Sequence, residues 1–114
     1  MQDSGPERLP QTYLDFAARF PDLADAHTAA NRSVVEGGPL DERVCELIKI
    51  GISLGAGLES ALKSHVKRAR RSGATVEEIE QSIVLGMTTS GWARTVAAWR
   101  WAHDQFERDA AEEA

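Results

Sequence analysis

Residues 57–81 read GLESALKSHVKRARRSGATVEEIEQ, and this stretch decides the fold class. Gly73 suits the left-handed position that ends a helix, because glycine has no Cβ to clash there. Thr75-Val76-Glu77-Glu78 then reads as a capping box. The Thr75 hydroxyl and the Glu78 carboxylate can each take a backbone N–H that the first helical turn leaves unbonded. One helix therefore ends near residue 72 and another begins at 75. Upstream of Gly73, a helix advancing about 100° per residue places positions 61, 62, 65, 66 and 69 on one side. They carry Ala61, Leu62, His65, Val66 and Ala69, whereas Glu59, Lys63, Lys67, Arg70 and Arg71 fall on the other side. His65 thus lies in the middle of an apolar stripe, with Leu58 and Ala61 on the turns before it.

The rest of the chain extends this pattern. Apolar residues recur three or four apart, alanine is abundant, and strand signals are nearly absent. Turn residues divide the chain into six helices. The first covers about 10–20 and stops at Pro21. The second covers 22–35 and ends at Gly37-Gly38-Pro39. The third opens at Asp41, a good N-cap, and reaches Gly55 and Gly57. The fourth covers 58–72, the fifth runs from 75 to about 88, and the sixth covers about 91–109. The segment GMTTSG, 86–91, loosens the fifth helix and has little side-chain bulk, so a neighbouring helix can approach closely. The expected fold is all-α, a compact bundle of about six helices. It forms one domain over 9–110, with a polar tail over 1–8 and an acidic tail over 111–114 that frays.

Composition narrows the function. The 114 residues carry a net charge of −5, which argues against a nucleic-acid partner. A lone cysteine, Cys45, has no partner for an internal disulfide. No apolar run approaches the ~20 residues of a membrane span, and the first residues lack the apolar segment of a signal peptide. These features fit a cytoplasmic protein with no membrane association. The three histidines, His27, His65 and His103, fall on different helices without metal-ligand spacing, and no glycine-rich phosphate loop is present. No cofactor or metal is expected.

An imidazole in an apolar stripe needs a hydrogen-bond partner, since leaving its N–H unpaired costs ~1–3 kcal/mol. Glu46 is the candidate. It is one of few polar groups in a third helix otherwise built from Val44, Leu47, Ile48, Ile50, Ile52 and Leu54. If the third and fourth helices pack antiparallel, the two side chains can meet. A carboxylate beside a histidine selects the ring nitrogen that carries the proton, and such a pair can move protons near neutral pH. The alternative is a satisfied core histidine, with Glu46 paired to Lys49 on its own helix.

The run from Leu40 to Ala102 resembles the carboxymuconolactone decarboxylase family, whose superfamily includes the alkylhydroperoxidase D proteins. The resemblance covers roughly residues 14–107. It rests on Glu46-Leu47-Ile48, the His65 helix, Gly73-Ala74-Thr75 followed by Glu77-Glu78-Ile79, and the small-residue helix ending at Gly91. The resemblance implies an alkylhydroperoxidase D-like fold and a homo-oligomer, trimer or hexamer. In the peroxidase branch, a CxxC pair precedes the histidine and a glutamate lies one helix earlier. Carried over, the glutamate falls on Glu46 and the histidine on His65, but the two cysteines fall on Leu58 and Ala61. Peroxide reduction of that kind needs an attacking and a resolving thiol, so this chemistry is disfavoured, and Cys45 reads as a small core residue.

The decarboxylase branch keeps the histidine without the thiol pair. It implies a small carboxylated lactone as substrate, His65 as proton donor or base, and Glu46 as its orienting group. Leu58 and Ala61 would then line the substrate site. Arg68, one turn beyond His65, is a candidate for an anionic group, with a solvated arginine as the alternative. Two other readings remain open: a Cys45-dependent redox protein, and a non-catalytic oligomer that binds small molecules.

On the sixth helix Trp92, Val96, Trp99, His103 and Phe106 share a narrow stripe, expected to face the core, with His103 structural. Trp101 points the opposite way and calls for cover, either at a subunit interface or beneath Tyr13, Phe16 or Phe20. Lys63, Lys67 and Arg71 form a ladder read as a solvated face balanced by Glu59 and by Glu77, Glu78 and Glu80.

Overall fold

A computed structural model describes residues 9–114, so the tail expected over 1–8 lies outside the described residues. All regular structure among them is helical: α1 (Gln11–Arg19), α2 (Pro21–Glu36), α3 (Glu42–Ala56), α4 (Glu59–Arg71), α5 (Val76–Val84), a 3-10 turn (Leu85–Thr88) and α6 (Trp92–Glu113). The expected all-α class and its six helices hold. The chain falls into two compact units, divided between Leu40 and Asp41. No described helix is long and apolar enough to cross a membrane.

The first unit is the α1–α2 pair. Pro21 does more than stop α1. It occupies the first turn of α2, where its missing N–H is no loss and its fixed φ suits a helix. Phe16 and Phe20 pack ring against ring at 5.3 Å, and the Arg19 guanidinium lies 4.8 Å from the centre of the Phe20 ring. Neither helix contains a buried residue.

The second unit holds the core. Asp41 caps α3 as expected, its carboxylate accepting the Val44 N–H at 2.9 Å. Gly57 then turns the chain in a left-handed conformation (φ 71°), and α4 starts two residues later. So short a link forces α3 and α4 into an antiparallel hairpin. At the far end of α4, Gly73 has φ 98°. Both halves of the Thr75–Glu78 capping box form at 3.0 Å. The second carboxylate oxygen of Glu78 takes Arg43 of α3 at 2.7 Å, so one side chain starts α5 and ties it to α3.

The core consists of Ile50 and Leu54 from α3, Leu62, Val66 and Ala69 from α4, Ala74, Ile79 and Ile83 around α5, and Ala98 and Ala102 from α6. The low bulk at 86–91 has the expected consequence. A Cβ added at Gly86 would lie 2.7 Å from Leu54 Cδ2, so the 3-10 turn sits directly on α3.

The face of α6 differs from the expected one. Its buried residues are Thr95, Ala98, Ala102 and Gln105. Trp92, Val96 and Trp99 are instead exposed, at 71%, 48% and 39%. The buried stripe therefore lies one residue, about 100°, from the expected stripe. Small residues face inward because they let the α6 backbone approach its neighbours, while the large aromatics stay outside. Trp101 is half-buried and packs against the core of its own unit, together with Phe106 and Leu47. α6 also runs on through the acidic residues to Glu113, with Glu112 reaching Lys67 of α4 at 3.4 Å.

Candidate active site

The hairpin turn sets the register of α3 against α4. The Leu58 N–H donates to the Ser53 carbonyl at 2.9 Å. Moving seven residues from each of these positions leads to Glu46 on α3 and His65 on α4. The structure joins them: His65 Nδ1 lies 2.7 Å from Glu46 Oε1. Glu46 thus pairs with the imidazole, as the first of the two sequence readings has it. The Glu46 side chain is 7% exposed and that of His65 17%, so water competes little for the bond.

The chemistry of the pair follows from its donors. An ionised carboxylate only accepts, so with Glu46 ionised the proton sits on Nδ1 and is donated to Oε1. Nε2 is then the ring atom left to exchange a proton with a bound molecule. Buried Glu46 holds the ring in one orientation, a condition for directed proton transfer.

The other expected site residues lie on the same stripe of α4. Leu58 is the N-cap residue and is 50% exposed, so it lies at the turn end of the hairpin rather than in the core. Ala61 and Arg68, one turn before and one turn after His65, are half-buried. Neither Leu58 nor Ala61 offers a thiol, and Cys45 is half-buried on α3. Among the described residues no group of three or more His, Cys, Asp or Glu side chains could hold a metal ion.

One contact escaped the sequence reading. His103 has a carboxylate as well: its Nε2 lies 3.0 Å from Glu80 Oε2 on α5. The ring is flanked by Trp99 at 4.6 Å and Phe106 at 5.1 Å. No local spacing signals that contact, because it joins residues 23 apart across two helices. The basic ladder on α4 is half-buried rather than a solvated face: Lys63 pairs with Glu59 at 3.0 Å as expected, whereas Lys67 reaches Glu112 of α6, outside the expected set of glutamates.

The chain is similar to several known proteins. An uncharacterised protein encoded in the cox locus of Paracoccus denitrificans is 37% identical over 61 residues, covering 54% of this chain and 55% of that protein. The chain thus matches about half the length of that relative. An uncharacterised protein of Methanocaldococcus jannaschii is 28% identical over 78 residues, 68% of this chain and 73% of its own length. In three dimensions the chain is similar to a carboxymuconolactone decarboxylase family protein from Legionella pneumophila, whose crystal structure aligns with a TM-score of 0.74. That alignment has 18% identity and covers 86% of this chain and 87% of the other, so it speaks for the fold. The model of the carboxymuconolactone decarboxylase family matches residues 21–104, from the start of α2 to well into α6 and through both Glu46 and His65. With most of its helices inside that match, the chain belongs to the carboxymuconolactone decarboxylase family.

Proposed function

We propose that the protein carries out proton-transfer chemistry of the decarboxylase kind on a small carboxylated lactone or a related acid, with His65 exchanging the proton and Glu46 orienting it. The observation that carries this reading is the 2.7 Å contact between a buried carboxylate and an imidazole on a stripe without thiols. In such a step the bond to the departing carboxylate breaks and carbon dioxide leaves. The electron pair passes into the conjugated carbonyl of the lactone. Protonated Nε2 of His65 then delivers its proton to carbon and is reprotonated from water. Glu46 stabilises the imidazolium and holds the ring towards the substrate.

Purified protein incubated with carboxymuconolactone tests the reading through the loss of the lactone's absorbance. His65→Ala should fold, by circular dichroism, and lose turnover by at least about 100-fold, the usual contribution of a positioned acid or base. Wild-type turnover in that variant would remove the role assigned to His65. A cytoplasmic location is part of this reading, supported by the single cysteine. So is assembly as a homo-oligomer, supported by the exposed stripe of Trp92, Val96 and Trp99 on α6.

A further inference from the structure

We infer that the exposed stripe of α6 is a two-fold interface, on which a second copy of this chain lays its own α6 antiparallel; this rests on the homo-oligomer reading above and adds the surface, the orientation and the parity of the assembly. α6 carries two seams with the alternating three- and four-residue spacing of packed helices. The first, Thr95, Ala98, Ala102 and Gln105, is buried within its own unit. The second runs through Trp92, Val96, Trp99, His103 and Phe106. Its first three members are exposed although all are large and apolar. From Trp92 to Phe106 this seam extends about 21 Å along the helix.

The surface is built before any partner arrives. His103 is held by Glu80 of α5 at 3.0 Å, and its ring lies 4.6 Å from Trp99 and 5.1 Å from Phe106, edge-on to the latter. Three rings of the seam thus fix one another, and little rotamer freedom is left to lose on association. Ordered aromatic side chains of this kind are the usual anchors of protein interfaces.

Charge chooses the occupant and its direction. Residues 92–103 contain Arg94 and Arg100 and no carboxylate, whereas 104–113 contain Asp104, Glu107, Asp109, Glu112 and Glu113 against Arg108 alone. α6 therefore has a positive half and a strongly negative half. Two such helices laid side by side in the same direction would set like halves together. Reversed, each positive half faces a negative one, and the apolar seam faces itself. With the two-fold axis level with residue 101, Trp99 meets the partner's His103 and Val96 meets the partner's Phe106. Arg100, exposed beside the seam, then comes within reach of the partner's Asp104. A contact in which one patch meets its own copy closes on itself, so it builds dimers or even-numbered assemblies.

Sedimentation velocity at micromolar concentration tests the contact, on wild type and on variants whose helicity is checked by circular dichroism. Wild type should sediment as a dimer or an even multiple of one. Val96→Glu, at a position exposed in the single chain, should weaken association at least about tenfold. Arg100→Glu should weaken it as well, and Asp104→Arg added to Arg100→Glu should restore it. The direction is read by cross-linking in a Cys45→Ser background. A short bismaleimide should join two copies through Arg100→Cys, close to the axis, but not through Ala93→Cys, about 24 Å from its counterpart along the helices. An odd-numbered oligomer, equal association of Val96→Glu and wild type, or cross-linking through residue 93 would overturn this interface and leave the homo-oligomer reading standing. Monomeric wild type would overturn both.

Discussion

Removing His65 should cost more than removing its partner, and removing both should cost less than removing His65 alone. The reason lies in what each deletion leaves behind. His65→Ala strands the buried carboxyl group of Glu46 without its 2.7 Å partner. Breaking a buried charge pair in that way costs about 3–5 kcal/mol. Glu46→Ala instead leaves one ring N–H unsatisfied, at about 1–3 kcal/mol. Adding Glu46→Ala to the His65→Ala protein removes the stranded carboxyl group, so the second substitution stabilises. The coupling energy should therefore exceed the cost of Glu46→Ala alone, about 1–3 kcal/mol. Glu46→Gln keeps the shape and an acceptor and should roughly halve the coupling, because the bond loses its charge. Urea unfolding at neutral pH, followed by circular dichroism on wild type, both single variants and the double variant, gives the coupling directly. A coupling below about 0.5 kcal/mol, the scatter expected for independent sites, would refute the dyad as an energetic unit.

Two further outcomes follow from contacts away from the dyad. Gly86→Ala would push a Cβ to 2.7 Å from Leu54 Cδ2, and Leu54 is 1% exposed with nowhere to retreat. It should cost about 1–3 kcal/mol, whereas Gly51→Ala, with nothing within 4 Å, should stabilise α3 by about 0.5–1 kcal/mol; equal melting temperatures for the two variants would contradict the close approach of the 3-10 turn. On α6, burial raises the Asp109 carboxyl above its ordinary value of 3.8, against the lowering effects of the Gln105 hydrogen bond and the Lys67 charge. The ionised form therefore destabilises the fold above the folded-state pKa, and the penalty fades as pH falls through that value. Asp109→Asn should gain stability over wild type at pH 7 and lose that advantage as pH falls towards 4 in paired urea titrations; a gain that grows on acidification would refute burial as the cause.

Much of the architecture was legible in single residues. Asp41, Pro21, Gly57, Gly73 and the Thr75–Glu78 box mark helix ends by local chemistry, and local chemistry does not depend on the rest of the fold. The partnership of Glu46 and His65 was legible for a related reason. Both are polar residues in apolar stripes, and the short link between their helices leaves few ways to pair them. A bond from Glu46 to Lys49 was equally allowed by spacing, and it is the packing of α3 on α4 that brings Glu46 to the His65 ring.

By itself, then, the sequence determined the all-α class and the helix ends and offered Glu46 as a candidate partner for His65, because turn chemistry and helical period act within a few residues. Tertiary structure decided which face of α6 points inward. Two apolar stripes one residue apart compete there, and the stripe with less hydrophobic area wins because Ala98 and Ala102 let the helix backbone sit close to its neighbours. Tertiary structure also decided that His103 meets Glu80 and that Trp101 packs inward. Those outcomes depend on the distance between helices, a quantity set by every side chain at the contact together and written in no single stretch of the chain.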